Sequence, residues 1–275
     1  MSIIFVSSRA ARQVTDAVYP WKRGSIMFTF KGEFFPDPAK ASLSEFYEGE
    51  LAVFLHTLRR NGQLIEQHWN LVEQNGVVKL YCIAPDEDAL EPRHYNRYGL
   101  EALGGLIQRS LRPPVFRVIG KTLGLSDACA CESPSYYVLF SNFVAEYSPV
   151  SCGDCNLPVP LYKLPGDSED EYYALRQWQG EYKACDSLFV LSGVGEGFGY
   201  REISEIESPL TKEGLEICRE MSQKSKRPFY YFLHRHYVPQ ESTCPGCGQE
   251  WKLDGKLHGI YTFKCDQCRL LSDAP

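Results

Sequence analysis

The sequence predicts a mixed α+β protein in three parts, and three observations lead to that fold class. Apolar residues alternate in several segments as they do in strands, others recur at helical spacing, and two Cys-x-x-Cys pairs lie near the C-terminus. With 275 residues and 44% apolar side chains, the chain can bury one large core or several smaller ones. We expect three domains, at 1–125, 126–240 and 241–275.

The first part follows the order βαββαβ. Ser42 and Glu45 form a capping box that opens one helix, and Asn75-Gly76 is a strong hairpin turn between two strands. This order is that of a ferredoxin-like unit, to which residues 1–22 would be an addition. Beyond the capped helix, the predicted elements are strands at 25–35, 64–72, 77–83 and 115–119 and a second helix at 96–111.

The second part is a central α+β region that contains cysteines. It combines a strand pattern over 136–147 with helical periodicity over 169–185 and 211–223, and an aromatic strand over 229–237. The glycine-rich passage at 192–202 resembles a phosphate-binding loop, but it lacks the Gly-Lys-Ser/Thr ending and carries acidic residues. We therefore expect a flexible loop there.

The third part is predicted to be a zinc ribbon. Two Cys-x-x-Cys pairs, with a hairpin-length segment between them, place four thiolates around one tetrahedral ion, and such a site leaves no open position for catalysis. A short ribbon has little apolar core of its own, so we expect the metal to provide most of its folding energy. The ligands are Cys244, Cys247, Cys265 and Cys268.

A second zinc ion is predicted in the central region. Cys129-x-Cys131 and Cys152-x-x-Cys155 supply four thiols if the strand between them folds back. Two alternatives remain open, a reactive thiol pair at Cys152 and Cys155 or buried free cysteines. Prolines follow this Cys-x-x-Cys closely, which disfavours the helix that a redox motif usually opens.

The charge of the chain is concentrated in one segment. The net charge is −6, and residues 166–216 contain 12 Asp and Glu against 4 Lys and Arg. A helix start attracts acidic residues through its macrodipole, which is a sufficient reason for part of this cluster. The remaining carboxylates would steer a basic protein partner toward this face. Our candidate partner-binding residues are Glu169, Asp170, Glu171, Glu181, Glu196 and Glu202.

Other function classes have weaker support. The histidines form no recognisable catalytic set with a nucleophile, so we expect no enzyme activity. With its thiolates bound to zinc, the ribbon is about neutral and lacks the clustered Lys and Arg that phosphate backbones require. No segment has the features of a secretion signal or a membrane span, and we expect a cytoplasmic protein.

Several motifs together resemble a known family. They are CGDC followed by PVPLYKLP, the run QGEYKACDSLFVLSGVGEGFGYRE, and FYYFLHRHY ahead of CPGCGQEW. From about residue 40 onward the chain is similar to a bacterial family of zinc-ribbon proteins that was considered for nucleic-acid binding because of its ribbon. We also associate that family with immunity proteins of Rhs-type polymorphic toxins whose toxin domain is an ADP-ribosyltransferase.

The resemblance implies a specific role. We expect a non-enzymatic immunity protein that binds a cognate, basic intracellular toxin and covers its active site, with zinc serving only the structure. The alternative is a zinc-ribbon adaptor that binds RNA or DNA through the ribbon and the sheet of the βαββαβ unit.

Overall fold

The described part of the chain folds into an α+β structure with two separate sheets. A computed structural model describes residues 27–65, 69–123, 127–164, 172–235, 237 and 242–273. Within these ranges one sheet has four strands and the other has six. The predicted mixed α+β class is confirmed.

The four-stranded sheet lies in the N-terminal part of the chain. Its elements are β1 (Met27–Pro36), α1 (Leu43–Phe46), a π-helical turn (Tyr47–Leu51), α2 (Ala52–Arg60), β2 (Asn70–Gln74), β3 (Val77–Ala84), a 3-10 turn (Pro92–His94), α3 (Arg97–Gln108) and β4 (Ser110–Thr122). The strand order is β2-β3-β1-β4, and every neighbouring pair is antiparallel. Order and connectivity together are those of the ferredoxin-like βαββαβ unit.

Local sequence features explain these elements. The Ser42 Oγ accepts the Glu45 backbone N–H at 3.3 Å, and the Glu45 carboxylate accepts the Ser42 N–H at 2.8 Å, so the predicted capping box is confirmed. Asn75 and Gly76 adopt positive φ angles of 54° and 76°, as a type I′ hairpin turn requires. Alternate residues of β1, including Phe30, are buried against α2.

The last strand of this sheet is longer than predicted. We expected a strand at 115–119, but β4 begins at Ser110 and contains Pro113 and Pro114. Proline cannot donate a ladder hydrogen bond, so it is excluded from central strands. Among the described residues β4 has a neighbouring strand on one side only, which is compatible with both prolines.

The six-stranded sheet combines the central region with the C-terminal segment. Its elements are β5 (Tyr137–Leu139), β6 (Val150–Cys152), a 3-10 turn (Leu161–Lys163), α4 (Tyr173–Leu191), α5 (Glu196–Ser204), α6 (Pro209–Ser225), β7 (Phe229–Leu233), β8 (Lys252–Leu257), β9 (Tyr261–Cys265) and β10 (Leu270–Ser272). The strand order is β6-β5-β7-β10-β9-β8. Parallel pairing of β10 with β7 joins the C-terminal hairpin to the central strands.

Three helices pack on one face of this sheet. Trp178 and Tyr182 of α4 are fully buried against β7, in which all five residues are buried. A Cβ at Gly214 of α6 would lie 2.2 Å from the Tyr231 ring, so that helix approaches the sheet as closely as a glycine allows. These contacts form the largest hydrophobic core among the described residues.

The glycine-rich passage differs from the expectation. Residues 196–202 are helical and belong to α5, so the flexible loop predicted there is wrong for that stretch. A Cβ at Gly199 would lie 2.2 Å from the Cys185 carbonyl oxygen, which shows that this glycine lets α5 contact the backbone of α4. Close helix packing thus accounts for Gly199, whereas a Cβ at Gly197 would meet no atom within 4 Å.

Two other predicted elements have different lengths. The strand expected over 136–147 is only the three residues of β5, and the helix expected to end at Cys185 continues to Leu191. The predicted start of that helix, at 169–171, lies outside the described residues.

A short turn connects the two halves of the structure. The Tyr162 hydroxyl donates to the Asp86 carboxylate at 2.8 Å, and the Lys163 ammonium lies 2.7 Å from the same carboxylate. A Cβ at Gly62 would lie 2.8 Å from that of Leu161, so the turn lies directly on the end of α2.

Candidate metal centres and exposed surfaces

Two groups of four cysteines are brought together by the fold. In each group the four Sγ atoms lie within 4.8 Å of one another. The members are those predicted from the spacing, namely Cys129, Cys131, Cys152 and Cys155 in one group and Cys244, Cys247, Cys265 and Cys268 in the other. All eight are free thiols.

The C-terminal group joins two tight turns across a hairpin. Cys244 and Cys247 come from the turn before β8, whereas Cys265 ends β9. The Cys247 and Cys265 sulfurs are 3.6 Å apart, and the Cys268 backbone N–H donates to the Cys265 sulfur at 3.3 Å. A Cβ at Gly246 would lie 2.8 Å from the Cys268 sulfur, so this position in the turn has little room for a side chain.

The central group uses one similar turn and one extended pair. The Asp154 N–H donates to the Cys152 sulfur, and the Cys131 N–H donates to the Cys129 sulfur, both at 3.4 Å. The Cys129 N–H is held by the Pro158 carbonyl at 2.8 Å, which fixes the Cys-x-Cys segment beside the second turn. Because Cys131 alone is exposed, this group lies at the edge of the core.

All three Cys-x-x-Cys turns end in the same backbone conformation. The residue after the second cysteine has a positive φ, at 58° for Asn156, 72° for Gly248 and 54° for Arg269. Such angles are uncommon outside glycine. This conformation turns the chain away once the second cysteine has pointed its thiol toward the group. Three different sequences therefore form the same type of ligand loop.

The donor set fits a soft divalent metal. Four sulfurs with backbone N–H donors are the ligands of structural zinc sites, and both groups are compatible with that ion. Burial, with a smaller contribution from Cys152, raises the pKa of the Cys129 thiol. Binding of a cation would offset this effect by replacing the thiol protons.

The C-terminal hairpin contacts the central cysteine turn. A nitrogen of His258 lies 2.6 Å from the Gly153 carbonyl oxygen, and the Tyr261 hydroxyl donates to the Asn156 side chain at 3.1 Å. These contacts connect the ligand loops of the two groups.

The hairpin also has more apolar packing than expected. Trp251 and Phe263 stack with ring centroids 5.0 Å apart, and both are buried in the core that α4 to α6 share. The expectation of a ribbon with little core of its own therefore misses this packing, because it comes from residues distant in sequence.

The acidic candidates occupy different environments. Glu181 on α4 and Glu196 at the start of α5 are exposed. Glu202 is half-buried and accepts the Leu210 N–H at 3.2 Å, so it joins α5 to α6. The remaining candidates, Glu169, Asp170 and Glu171, lie outside the described residues.

An exposed apolar tip, which the sequence reasoning missed, lies where α4 meets α5. Leu191 is 67% exposed, Phe198 is 50% exposed, and Val194 between the two helices is fully exposed. The Ser192 hydroxyl accepts the N–H groups of Val194 and Gly195, which fixes the turn between the helices. The only signal in the sequence was an apolar residue inside a glycine-rich turn.

The fold and the cysteine groups define the class of protein, an α+β protein with a ferredoxin-like unit and two four-cysteine groups on one sheet. Family models match residues 34–120, 131–234 and 235–274, and they are described as domains of unknown function DUF8589, DUF2310 and DUF8594.

Two uncharacterized Haemophilus influenzae proteins are similar in sequence. One is 30% identical over 224 residues, which are 78% of this chain and 86% of the relative. The other is 31% identical over 163 residues, 58% of this chain and 80% of the relative. The chain belongs to the family of the first of these proteins.

Similar solved structures cover only part of the chain. A Caulobacter crescentus protein described as a candidate antibiotic biosynthesis monooxygenase matches 36% of this chain and 93% of its own length, at 18% identity and a TM-score of 0.29. Rv0793 from Mycobacterium tuberculosis matches 36% of this chain and 99% of its own length, at 17% identity and the same TM-score.

No helix within the described ranges is both long and apolar enough to cross a membrane.

Proposed function

We propose that this protein is a non-enzymatic immunity protein of the cytoplasm. It binds a cognate, basic intracellular toxin of the ADP-ribosyltransferase class and covers its active site. The observation that carries the proposal is the exposed apolar tip of α4 and α5, which lies within the most acidic segment of the chain.

The tip has the properties of a protein-binding surface. Leu191, Val194 and Phe198 expose large apolar side chains on a short turn between packed helices. Water-exposed apolar groups of this kind contribute binding energy when a partner covers them. Glu196 within the tip, and Glu181 farther back on α4, add negative charge that would increase the association rate with a basic partner.

We further propose that both four-cysteine groups hold zinc and that each ion is structural. Four sulfur ligands complete a tetrahedral shell, and no coordination position remains for a substrate. The ions would then hold the sheet that supports α4 to α6, and with them the tip.

Co-expression with the toxin gene encoded beside this gene tests the proposal. The wild-type chain should restore growth and co-elute with the toxin on a sizing column. Val194→Asp, which places a charge on the tip without touching the core, should abolish both. Ile119→Asp is the control, because Ile119 is also an exposed β-branched residue, at 57%, but lies on β4 of the other sheet. Wild-type protein that neither binds the toxin nor restores growth would refute the proposal.

A second candidate function, binding of RNA or DNA, has one observation in its favour. The register of the first sheet places Lys31 opposite both Tyr81 and Arg117, and Glu33 opposite Lys79, so these side chains share one face. Cations beside an aromatic ring are a feature of single-strand binding surfaces. Both surfaces carry paired lysines, since Lys31 lies 2.7 Å from Glu33 on the sheet and Lys264 lies 2.9 Å from Asp266 in the ribbon.

Labelled single-stranded RNA distinguishes the two functions. Nucleic-acid binding predicts an affinity that falls steeply with salt and is lost in Arg117→Gln or in a triple variant at Lys252, Lys256 and Lys264. The immunity function predicts no binding to RNA at physiological salt.

A further inference from the structure

A cationic cavity lies at the junction of the two halves of the structure. It has a volume of about 400 Å³ and lies between the C-terminal end of α2, the first half of α4 and the Ala145–Glu146 segment. Four cations and one carboxylate, Glu146, line its wall. The cations are Arg59, Arg60, Arg176 and Lys183.

Arg176 connects the two halves at this cavity. Its guanidinium donates to the carbonyl oxygens of Arg59 at 2.6 Å and of Arg60 at 3.4 Å. These carbonyls end α2, where the negative end of the helix dipole attracts a cation. Burial, and then the charge of Arg59, lower the pKa of Arg176 to about 10. The helix end therefore fixes the position of Arg176, but the cations around it still repel one another.

Arg59 has an unused hydrogen-bond donor. Its Nε is buried and has no hydrogen-bond partner among the described residues. Burial, followed by the charge of Arg60, lowers the pKa of this guanidinium. A buried donor without an acceptor costs free energy, and a charged one costs more. An anion in the cavity would reduce the repulsion between the cations, and a rotation of the Arg59 guanidinium toward that anion would give its Nε an acceptor.

We propose that this cavity binds a phosphoryl group. Guanidinium groups present a planar fork of donors that matches tetrahedral and planar oxyanions, and a dianion offsets more of the local positive charge than a carboxylate does. Because Arg59 and Arg60 belong to one half of the structure and Arg176 and Lys183 to the other, the bound anion would bridge both halves.

The phosphoryl group has two possible sources, free phosphate or a phosphate monoester. A second, larger groove of about 910 Å³ adjoins the cationic cavity, because Arg60 and Tyr173 line both. Val53 and Ala102 are among the other residues that line this groove. The body of a monoester would lie in this groove while its phosphoryl group occupies the cationic cavity.

Calorimetric titration of the full chain with inorganic phosphate tests the site. Wild-type protein should bind phosphate, and it should bind acetate at least about tenfold more weakly. Arg59→Met should weaken phosphate binding by about tenfold or more, because it removes a charged donor. Arg59→Lys keeps the charge but lacks the planar fork of donors. Its affinity for phosphate should therefore lie between those of wild type and Arg59→Met.

Arg219→Gln is the matched control, since it removes an exposed arginine on α6 outside the cavity. Circular dichroism spectra identical to wild type verify that the Arg59 variants fold. No phosphate binding by wild-type protein, or equal binding by wild type and folded Arg59→Met, would overturn the site.

Phenyl phosphate separates the two sources. If the natural ligand is a monoester, phenyl phosphate binds more tightly than phosphate, and Val53→Asp weakens phenyl phosphate alone. If the source is free phosphate, the two probes bind equally and Val53→Asp leaves both unchanged. Both results support the phosphoryl site, and a phosphate affinity that is insensitive to every Arg59 variant contradicts it.

Discussion

The two sheets of this protein are built in different ways. In the four-stranded sheet, β1 and β3 are 10 and 8 residues long and pair continuously over seven residue pairs. In the six-stranded sheet, β5, β6 and β10 have only three residues each. Ten of the eleven cysteines belong to the half of the chain that contains the short strands.

This difference indicates how each sheet is stabilised. Long strands with a buried face supply enough ladder hydrogen bonds and packing to hold their own register. Three-residue strands supply few, so their ends need another constraint. The central cysteine group lies at such an end, since Cys152 ends β6 at one edge of the sheet. The C-terminal group lies near the other edge, where Cys265 ends the five-residue β9 beside the three-residue β10.

Removal of metal should have the largest effect on stability, and this effect should differ between the two sheets. Binding of a structural zinc ion is worth about 10 to 16 kcal/mol in small zinc domains, which is comparable with the whole stability of a domain. After strong chelation, we expect rapid hydrogen exchange in β5 to β10 and retained protection in β1 and β3. Mass spectrometry of peptides from each sheet measures this difference.

Two outcomes would contradict that comparison. Equal loss of protection in both sheets would show that they unfold as one unit. Unchanged protection in β9 and β10 would show that the packing of Trp251 and Phe263 is sufficient without metal.

Substitution of helix glycines should have an intermediate effect. Gly199→Ala places a Cβ 2.2 Å from the Cys185 carbonyl, so we expect a loss of about 1 to 3 kcal/mol in the free energy of unfolding from overpacking. The Cβ added by Gly197→Ala in the same helix would meet no atom within 4 Å. We expect this variant to gain about 0.5 to 1 kcal/mol in the free energy of unfolding, because alanine has the higher helix propensity.

Chemical denaturation of both variants measures these changes. Equal effects of the two substitutions would contradict the close contact between α4 and α5. That contact also positions the tip, so Gly199→Ala should weaken binding of the proposed toxin, whereas Gly197→Ala should not.

A carboxylate pair on the helical layer should have the smallest effect. Burial, and then the charge of Glu181, raise the pKa of Glu213 above its ordinary value of 4.5. The folded state therefore binds the proton more tightly than the unfolded state, and stability falls as pH rises from that value through the raised pKa. Glu213→Gln should increase stability at pH 7 by less than about 1 kcal/mol and have little effect at pH 4.

Thermal unfolding at both pH values checks this prediction. A Glu213→Gln variant that is stabilised equally at pH 4 and pH 7 would show that the carboxylate charge is not the cause.

Local chemistry made some features predictable from sequence. The Ser42 capping box, the Asn75-Gly76 turn and the spacing of the cysteines each depend on neighbours within a few residues or on ligand geometry. Their structures follow from side-chain hydrogen bonds, glycine conformation and thiol chemistry, which are the same in any fold.

Other features depend on contacts between distant residues. The helical state of Gly199 is favoured by its contact with α4. Pro113 is compatible with β4 because that strand lies at the edge of the sheet formed by the described residues. The pairing of β10 with β7 and the cationic cavity arise only when segments far apart in sequence meet. No local pattern encodes these neighbours.

Native mass spectrometry of the full chain tests most directly whether two structural zinc ions support this fold. We expect a mass that exceeds the apoprotein by two zinc ions, and by one ion in either Cys131→Ser or Cys268→Ser. A Cys82→Ser variant, in the sheet without a cysteine group, should keep both ions. Wild-type protein that carries a single ion, or none, would contradict the claim.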